Sequence, residues 1–173
     1  QMTSQADLTV LYNLVAAGND MKNVCFQMTQ DINLDTSWKP IGIAARTGNK
    51  TFGGIFDGAN HTLTIAKGGQ PLLGYINGAE VKNLKIYGEQ IAGAGLVNSY
   101  TGVGLSGNAI TIDNVRLLSG TQTLKSGLVA STGGNGYAHA SAGFVITIRN
   151  CVIEEGVVVG YDGKQAAIGS FAG

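Results

Sequence analysis

The sequence predicts an all-β protein, a parallel β-helix or solenoid of stacked coils, with one α-helix capping its N-terminus. Three observations predict this class. Only the first residues have a helical pattern, the rest consists of short alternating apolar runs, and a motif repeats at intervals of 31 and 36 residues. The 173 residues include 27 Gly but 2 Pro, which suits many turns and excludes collagen.

Composition limits the partners. Eleven Lys and Arg balance eleven Asp and Glu, and no segment concentrates positive charge, so nucleic acid is not an expected partner. No apolar run reaches the ~18 residues of a spanning helix, so we expect no membrane insertion by this segment. A mass of 17.8 kDa is enough for one domain with its own core.

The first element is a helix over residues 4–17. Leu8, Leu11 and Val15 recur at helical spacing, Ser4 with Asp7 resembles a capping box, and Gly18 ends the pattern. This gives a division into a capping helix, residues 1–20, and β-helix coils, residues 21–173. The coils begin with an alternating apolar pattern at Val24, Phe26, Met28, Ile32 and Leu34.

The internal repeat defines the coils. Residues 81–86, 112–117 and 148–153 each read apolar, charged, Asn, apolar, variable, apolar. Stacking the copies predicts two inward columns and one corner column. The inward columns are Leu84, Val115 and Cys151, and Ile86, Leu117 and Ile153; the corner column is Asn83, Asn114 and Asn150. Asparagine tolerates left-handed backbone and its amide can bond to equivalent amides, so we interpret the corner as structural.

A second element lies between these copies. It reads Gly95-Leu96-Val97, Gly127-Leu128-Val129 and Gly169-Ser170-Phe171, with a degenerate first copy at residues 71–74. Glycine-rich excursions that carry tyrosines follow it, and stacking would place them on one flank. Tyrosine offers a flat apolar face with a polar rim, so the flank is our candidate ligand-binding surface. Its residues are Tyr75, Tyr100, Tyr137 and His139. The alternative is that each tyrosine covers its own loop.

Several motifs together resemble a known family. They are residues 31–34, 38–42, 52–58 and 60–63, followed by the Gly-Leu-Val elements. This order resembles bacterial cell-surface right-handed parallel β-helix proteins with GLUG-type repeats, as in the stalk regions of IgA-protease-like surface metallopeptidases. The resemblance implies a right-handed, pectate-lyase-like fold, an extracellular location on the bacterial surface, and membership of a larger surface protein.

Two polar motifs could carry chemistry. Asp57 and His61 could form an acid/base pair. However, Asp57-Gly58 is a turn signal, so we interpret Asp57 and Gly58 as structural. Asp31, Asn33 and Asp35 begin like a calcium loop, yet Thr36 and Gly42 occupy the positions that need Gly and Glu. We therefore expect no cofactor and no metal; a looser calcium site at these three residues is the alternative.

The functional prediction is a non-enzymatic adhesion or stalk module that binds glycan or host protein on a lateral flank. The alternative is a carbohydrate-active domain, a polysaccharide lyase or glycoside hydrolase, which requires clustered carboxylates. We predict no catalytic residues, because Asp113 has Lys82 and Arg149 as its counterparts in the repeat.

Two further expectations concern the cysteines and the C-terminus. Cys25 and Cys151 should be free thiols, because four coils at ~4.8 Å separate them by roughly 19 Å. Residues 166–173 end inside a copy of the second element. We therefore expect further coils, another domain or a second copy to follow.

Overall fold

The computed structural model describes residues 1–43, 50–100, 109–130 and 145–161, and of Ser99 and Tyr100 it describes the backbone alone. It contains one helix, α1 (Gln5–Ala16), and twelve strands in the described ranges. The strands are β1 (Cys25–Gln27), β2 (Ile32–Leu34), β3 (Ile55–Asp57), β4 (Thr62–Ile65), β5 (Leu73–Ile76), β6 (Glu80–Gly88), β7 (Val97–Tyr100), β8 (Ala109–Leu117), β9 (Gln122–Thr123), β10 (Val145–Arg149), β11 (Val152–Ile153) and β12 (Val158–Val159).

The helix forms as its sequence predicts. The Ser4 hydroxyl caps it by accepting a hydrogen bond from the Asp7 backbone N–H, and Leu8, Leu11 and Val15 are buried. It packs beside β2, where the Gln5 side-chain oxygen accepts the Asp35 backbone N–H at 2.7 Å. The helix therefore covers the core at the end of the sheet that β1 and β2 form. Within the described ranges, it is too short and too polar to span a membrane.

Every strand pair in the described ranges is parallel, which confirms the predicted all-β class with parallel sheets. The main sheet has eight strands, in which β3 pairs with β1 and β6, and β8 pairs with β6 and β10. Smaller sheets pair β5 with β7 and β9 with β12. Parallel partners about 30 residues apart are typical of a chain that returns to the same register after each repeat.

The core lies on the alternate positions that the repeat predicts. Leu84 is in register with Val115, and Ile86 with Leu117; all four side chains are buried. The second element also stacks: Val97 is in register with both Leu73 and Val129. Ile41 pairs with Leu73 and extends this column by one position, which the sequence did not reveal.

Burial weakens at both ends of the stack. Val24, predicted as part of the alternating apolar pattern, is 44% exposed, and Phe26 is half-buried against Phe52. In the last described strands, Cys151 and Ile153 of the predicted inward columns are only half-buried. The physical reason is that strands at either end of the described sheet have a neighbouring strand on one side only.

The corner asparagines adopt the expected left-handed backbone. Their φ angles are 51° for Asn83, 53° for Asn114 and 54° for Asn150. Because this conformation lies inside the long strands β6 and β8, each strand changes direction there while its two halves remain paired. The asparagines therefore place two faces of the main sheet at an angle to each other.

Asp57 and Gly58 have structural contacts at this corner. One Asp57 carboxylate oxygen accepts the Ala59 backbone N–H and the Asn83 side-chain amide, at 2.9 and 3.1 Å. A Cβ at Gly58 would lie 2.5 Å from the Asn83 carbonyl oxygen. Glycine is required there by the close approach of the neighbouring strand.

Both cysteines are free thiols, as predicted. Cys25 is exposed, whereas Cys151 is half-buried and burial raises the pKa of its thiol. Four strand steps, from β1 through β3, β6 and β8 to β10, separate the two positions. The thiol of Cys151 is thus the less reactive of the two.

Candidate functional site

Two surface depressions formed by described residues are candidate sites, and we name them the tyrosine pocket and the corner groove. The tyrosine pocket has a volume of about 280 Å³ and lies where α1 approaches β5; its main side chains are Tyr12, Lys39, Pro40, Gln70, Tyr75 and Asn98. The corner groove has a volume of about 520 Å³ and lies beside the asparagine corner; its main side chains are Asn60, Thr62, Lys85, Asn114, Arg116 and Glu154.

The structure places one of the four predicted flank residues in a pocket. Tyr75 lies in β5 and is in register with Ser99, whereas Tyr100 is in register with Ile76. The two tyrosines therefore do not occupy equivalent positions on adjacent strands. Tyr137 and His139 lie outside the described residues.

The prediction from the sequence did not include the second aromatic residue of the tyrosine pocket, Tyr12. Tyr12 lies on α1 and precedes Tyr75 in the sequence, whereas the other predicted tyrosines follow Tyr75. Tyr12 and Tyr75 are both half-buried. A signal was present, because Tyr12 directly follows the buried Leu11 in an amphipathic helix and is the only aromatic residue of that helix. The pairing with Tyr75 depends on how the helix docks, which no local pattern specifies.

Backbone packing holds the floor of the tyrosine pocket. Gly42 accepts the Tyr75 backbone N–H at 3.3 Å, and the Gly74 N–H binds the Ile41 carbonyl at 2.8 Å. A Cβ at Gly42 would collide with the Tyr75 carbonyl oxygen. The floor of the pocket therefore consists of backbone segments in close contact, which hold the main chain of Tyr75 in place.

The polar groups of this pocket are amides and one amine. Asn98 donates a hydrogen bond to the Gln70 side-chain oxygen at 3.3 Å. The buried Trp38 indole donates to the Pro71 carbonyl at 3.0 Å, which anchors the segment that carries Lys39 and Pro40. Among the described residues that line the pocket, none is acidic. Two tyrosines with amide side chains make a surface suited to an uncharged hydroxylated ligand.

The corner groove follows the outward positions of adjacent strands. Thr62 is in register with Lys85, and Lys85 with Arg116. Lys85 and Arg116 occupy the variable position of the repeated motif, so no sequence pattern selects them as site residues. Asn60 and the corner residue Asn114 also line the groove.

Two cations of the groove differ in their surroundings. The Arg116 guanidinium lies 3.0 Å from the Glu154 carboxylate, which also accepts the Ser119 backbone N–H at 2.9 Å. Both contacts lower the pKa of Glu154, the bond from Ser119 most. Lys85 forms no ion pair with any residue that the structure describes. The groove thus carries two positive charges and one negative charge.

The proposed acid/base pair does not form in this structure. Asp57 binds Ala59 and Asn83, while the His61 ring nitrogen Nδ1 lies 3.3 Å from a carboxylate oxygen of Asp31. Asp31 also accepts the Thr62 backbone N–H at 2.8 Å, the bond that most lowers its pKa. His61 therefore contacts a different carboxylate from the one its sequence neighbours indicate.

The residues of the alternative calcium site have other partners. Asp31 binds Thr62 and His61, and Asp35 accepts both the backbone N–H and the hydroxyl of Ser37 at 2.8 and 2.6 Å. Over the ranges with described coordinates, no three His, Cys, Asp or Glu side chains are grouped as metal ligands. The alternating spacing of Asp31, Asn33 and Asp35 follows from the outward positions around the buried Ile32 and Leu34.

Comparison with known proteins supplies no relative for this chain: no family model, no curated protein and no solved structure matches it. The functional interpretation therefore depends on the geometry of the two depressions.

Proposed function

We propose that the chain is a right-handed parallel β-helix that serves as a non-enzymatic ligand-binding module of a larger bacterial surface protein. Its ligand is a glycan, bound at the tyrosine pocket on the lateral flank of the stack. The resemblance to GLUG-repeat surface proteins supports the extracellular location and the stalk-like role. The all-parallel pairing of the described strands, with partner residues 23 to 31 positions apart in the sequence, supports the β-helix.

The tyrosine pocket is the observation that carries the binding proposal. Its two half-buried tyrosines present ring surface to solvent, and Gln70 and Lys39 lie beside them as hydrogen-bonding groups. Sugar rings stack on aromatic faces through their apolar C–H surfaces and bind amides through their hydroxyls. A fixed backbone beneath Tyr75 limits the conformational entropy that binding must remove.

The described carboxylates favour binding over hydrolysis. Glycoside hydrolysis needs two carboxyl groups about 5 to 9.5 Å apart, one of them protonated near neutral pH. In the described ranges, Asp31, Asp113 and Glu154 accept hydrogen bonds that lower their pKa values, which disfavours the acid role. A polysaccharide depolymerisation screen tests the enzymatic alternative directly, and release of reducing ends or unsaturated products would overturn our proposal.

A glycan array with the labelled protein tests the binding proposal. We expect Tyr75→Ala and Tyr12→Ala each to weaken binding about tenfold, the loss of one aromatic contact. Tyr75→Phe keeps the ring and should retain affinity within about threefold. Tyr87→Ala is the matched control, since Tyr87 is exposed in β6 and does not line the pocket. Binding to a host protein without glycan, or equal affinity in folded Tyr75→Ala, would contradict the proposal.

A further inference from the structure

We infer that the corner groove is a second binding site, specific for an acidic oligosaccharide, and that it is independent of the tyrosine pocket. The two depressions share no lining residue. The ligand class follows from the charges of the groove and from the spacing of its cations along the stack.

The cations are arranged to meet repeated negative charges. Lys85 and Arg116 occupy the same register position on adjacent parallel strands, β6 and β8. Adjacent strands are about 4.8 Å apart, so the Lys85 ammonium and the Arg116 guanidinium start from backbone positions one strand spacing apart. An extended chain that carries an anionic group on successive units can contact both.

The lysine is the available charge. On the same strands, Lys82 pairs with Glu80 at 3.0 Å, and on β10 Arg149 pairs with Asp113 at 2.9 Å. Lys85 has no such partner among the described residues and is exposed. The nearby Asp31 carboxylate interacts with the Lys85 charge, which contributes to the lowered pKa of Asp31, but it forms no ion pair with Lys85. The exposed Lys85 ammonium is therefore the strongest attraction that the groove offers to an anion.

Arg116 is partly neutralised and still able to bind. One of its terminal nitrogens contacts Glu154, and its side chain is 47% exposed. A guanidinium carries five N–H donors, so donors remain for a ligand carboxylate or sulfate. Glu154 opposes an anionic ligand because its carboxylate is negatively charged and lies in the groove, where Arg116 and Ser119 hold it.

The asparagines make the groove suited to a sugar. Asn114 donates its amide N–H to the Asn83 oxygen at 2.9 Å, and its exposed side chain lies beside Asn60. Amide groups bind hydroxyls, and the described lining contains no aromatic residue; its two apolar side chains are Leu84, which is buried, and Leu118, which is half-buried. An acidic peptide would match the charge but would leave the amides of the groove without hydroxyl partners, so we assign the groove to a glycan.

The test compares four probes of similar length: an oligogalacturonate (a carboxylate on every sugar), dextran sulfate (sulfated), neutral dextran and a poly-glutamate peptide. Titration calorimetry at low and high salt should show binding of one or both acidic glycans that weakens with salt, and no binding of neutral dextran at this groove. The carboxylated and sulfated arms distinguish the anionic group. Measured on the Tyr75→Ala variant, in which binding at the tyrosine pocket is weakened, equal affinity for neutral dextran and the acidic glycans, or affinity for poly-glutamate alone, would overturn the inference.

Three variants locate the site. Lys85→Ala should weaken acidic-glycan binding about fivefold and reduce its salt dependence. Glu154→Gln removes the opposing charge and should strengthen the binding, which a merely structural role for Glu154 does not predict. Lys125→Ala is the control, since Lys125 is an exposed cation outside the groove. Unchanged binding in both Lys85→Ala and Glu154→Gln would overturn the assignment.

The two proposed sites can be tested independently of each other. Tyr75→Ala should leave acidic-glycan binding at the groove unchanged, and Lys85→Ala should leave neutral-glycan binding at the tyrosine pocket unchanged. Loss of both activities in a folded single variant would contradict the independence of the sites.

Discussion

The Asn114 side-chain amide donates a hydrogen bond of 2.9 Å to the side-chain oxygen of Asn83, the equivalent residue one repeat earlier. Both residues have left-handed backbone, at φ values of 53° and 51°. A single residue type thus satisfies two requirements at the corner. It tolerates the backbone conformation, and it links neighbouring strands through the side chain.

Substitution of Asn114 separates these two contributions. Asn114→Ala loses the amide bond and places a residue with a Cβ in left-handed backbone, so we expect a loss of about 2 kcal/mol in the free energy of unfolding. Asn114→Gly restores the backbone and loses only the bond, so we expect about 1 kcal/mol. Urea denaturation measures both. Equal losses for Ala and Gly would show that backbone conformation contributes nothing at this corner.

Gly58 tests the close approach of adjacent strands. A Cβ there would lie 2.5 Å from the Asn83 carbonyl oxygen, so Gly58→Ala should destabilise the fold by about 2 kcal/mol or more. Gly68→Ala is the comparison, because Gly68 has φ +79° but no atom within 4 Å of its would-be Cβ. Its cost should be limited to the conformational strain of about 1 kcal/mol. A larger loss for Gly68→Ala, measured by thermal unfolding, would contradict the predicted order.

The alternation of buried and exposed residues in β6 gives a sharper contrast. Leu84 is buried and Lys85 exposed. Leu84→Asp places an unpaired charge in the core, and a cost of several kcal/mol should prevent folding. Lys85→Ala should change the free energy of unfolding by less than about 0.5 kcal/mol. Circular dichroism and thermal unfolding measure the difference, and similar stability in the two variants would mean that the opposite face of β6 is buried.

Asp113 should make stability depend on pH. Its carboxylate accepts hydrogen bonds from Asn150 and Arg149 at 2.8 and 3.0 Å, and the bond from Asn150 lowers its pKa most. A lowered pKa in the folded state stabilises the fold above the unfolded pKa of about 3.9. This contribution is lost as the pH falls below that value through the folded pKa.

The matched variant is Asp113→Asn, which has no charge to titrate. The urea midpoint of the parent protein should fall between pH 6 and pH 3, and the fall should be smaller in Asp113→Asn. Since other carboxylates also accept hydrogen bonds, some fall remains in the variant. An identical pH dependence in both proteins would show that Asp113 does not contribute to the fall in stability at low pH.

The repeated sequence made most of the fold predictable. The alternation of apolar residues around Asn83 and Asn114 indicated which residues are buried, and stacking of equivalent positions indicated the register. Both are local patterns repeated at intervals, so a sequence contains them directly. The exceptions were Val24, Cys151 and Ile153, because their exposure depends on lying at an end of the described stack rather than on their neighbours in sequence.

The binding surfaces were less predictable. Tyr75 could be selected as a candidate because glycine-rich excursions follow each Gly-Leu-Val element, but its partner Tyr12 comes from the docked helix. Lys85 and Arg116 stand at variable positions of the repeat, which have no pattern of their own. Their value as a site comes from register across strands and from the placement of Glu154, both of which require the folded chain.

The central structural claim is one continuous parallel stack in a single register, and distances along one ladder test it most directly. Gln27, Asp57, Lys82, Asp113 and Arg149 occupy equivalent positions on successive strands. Spin labels at Gln27→Cys with Lys82→Cys, and at Gln27→Cys with Arg149→Cys, span two and four strand steps. Both pairs are made with Cys25→Ser and Cys151→Ala to remove the native thiols.

Pulsed electron paramagnetic resonance should give a narrow distance distribution for each pair, with the second distance longer by two strand spacings, about 10 Å. The label linkers are the same in both pairs, so their length largely cancels in the difference. Equal distances, or a broad distribution for the Gln27 and Arg149 pair, would contradict the continuous parallel stack.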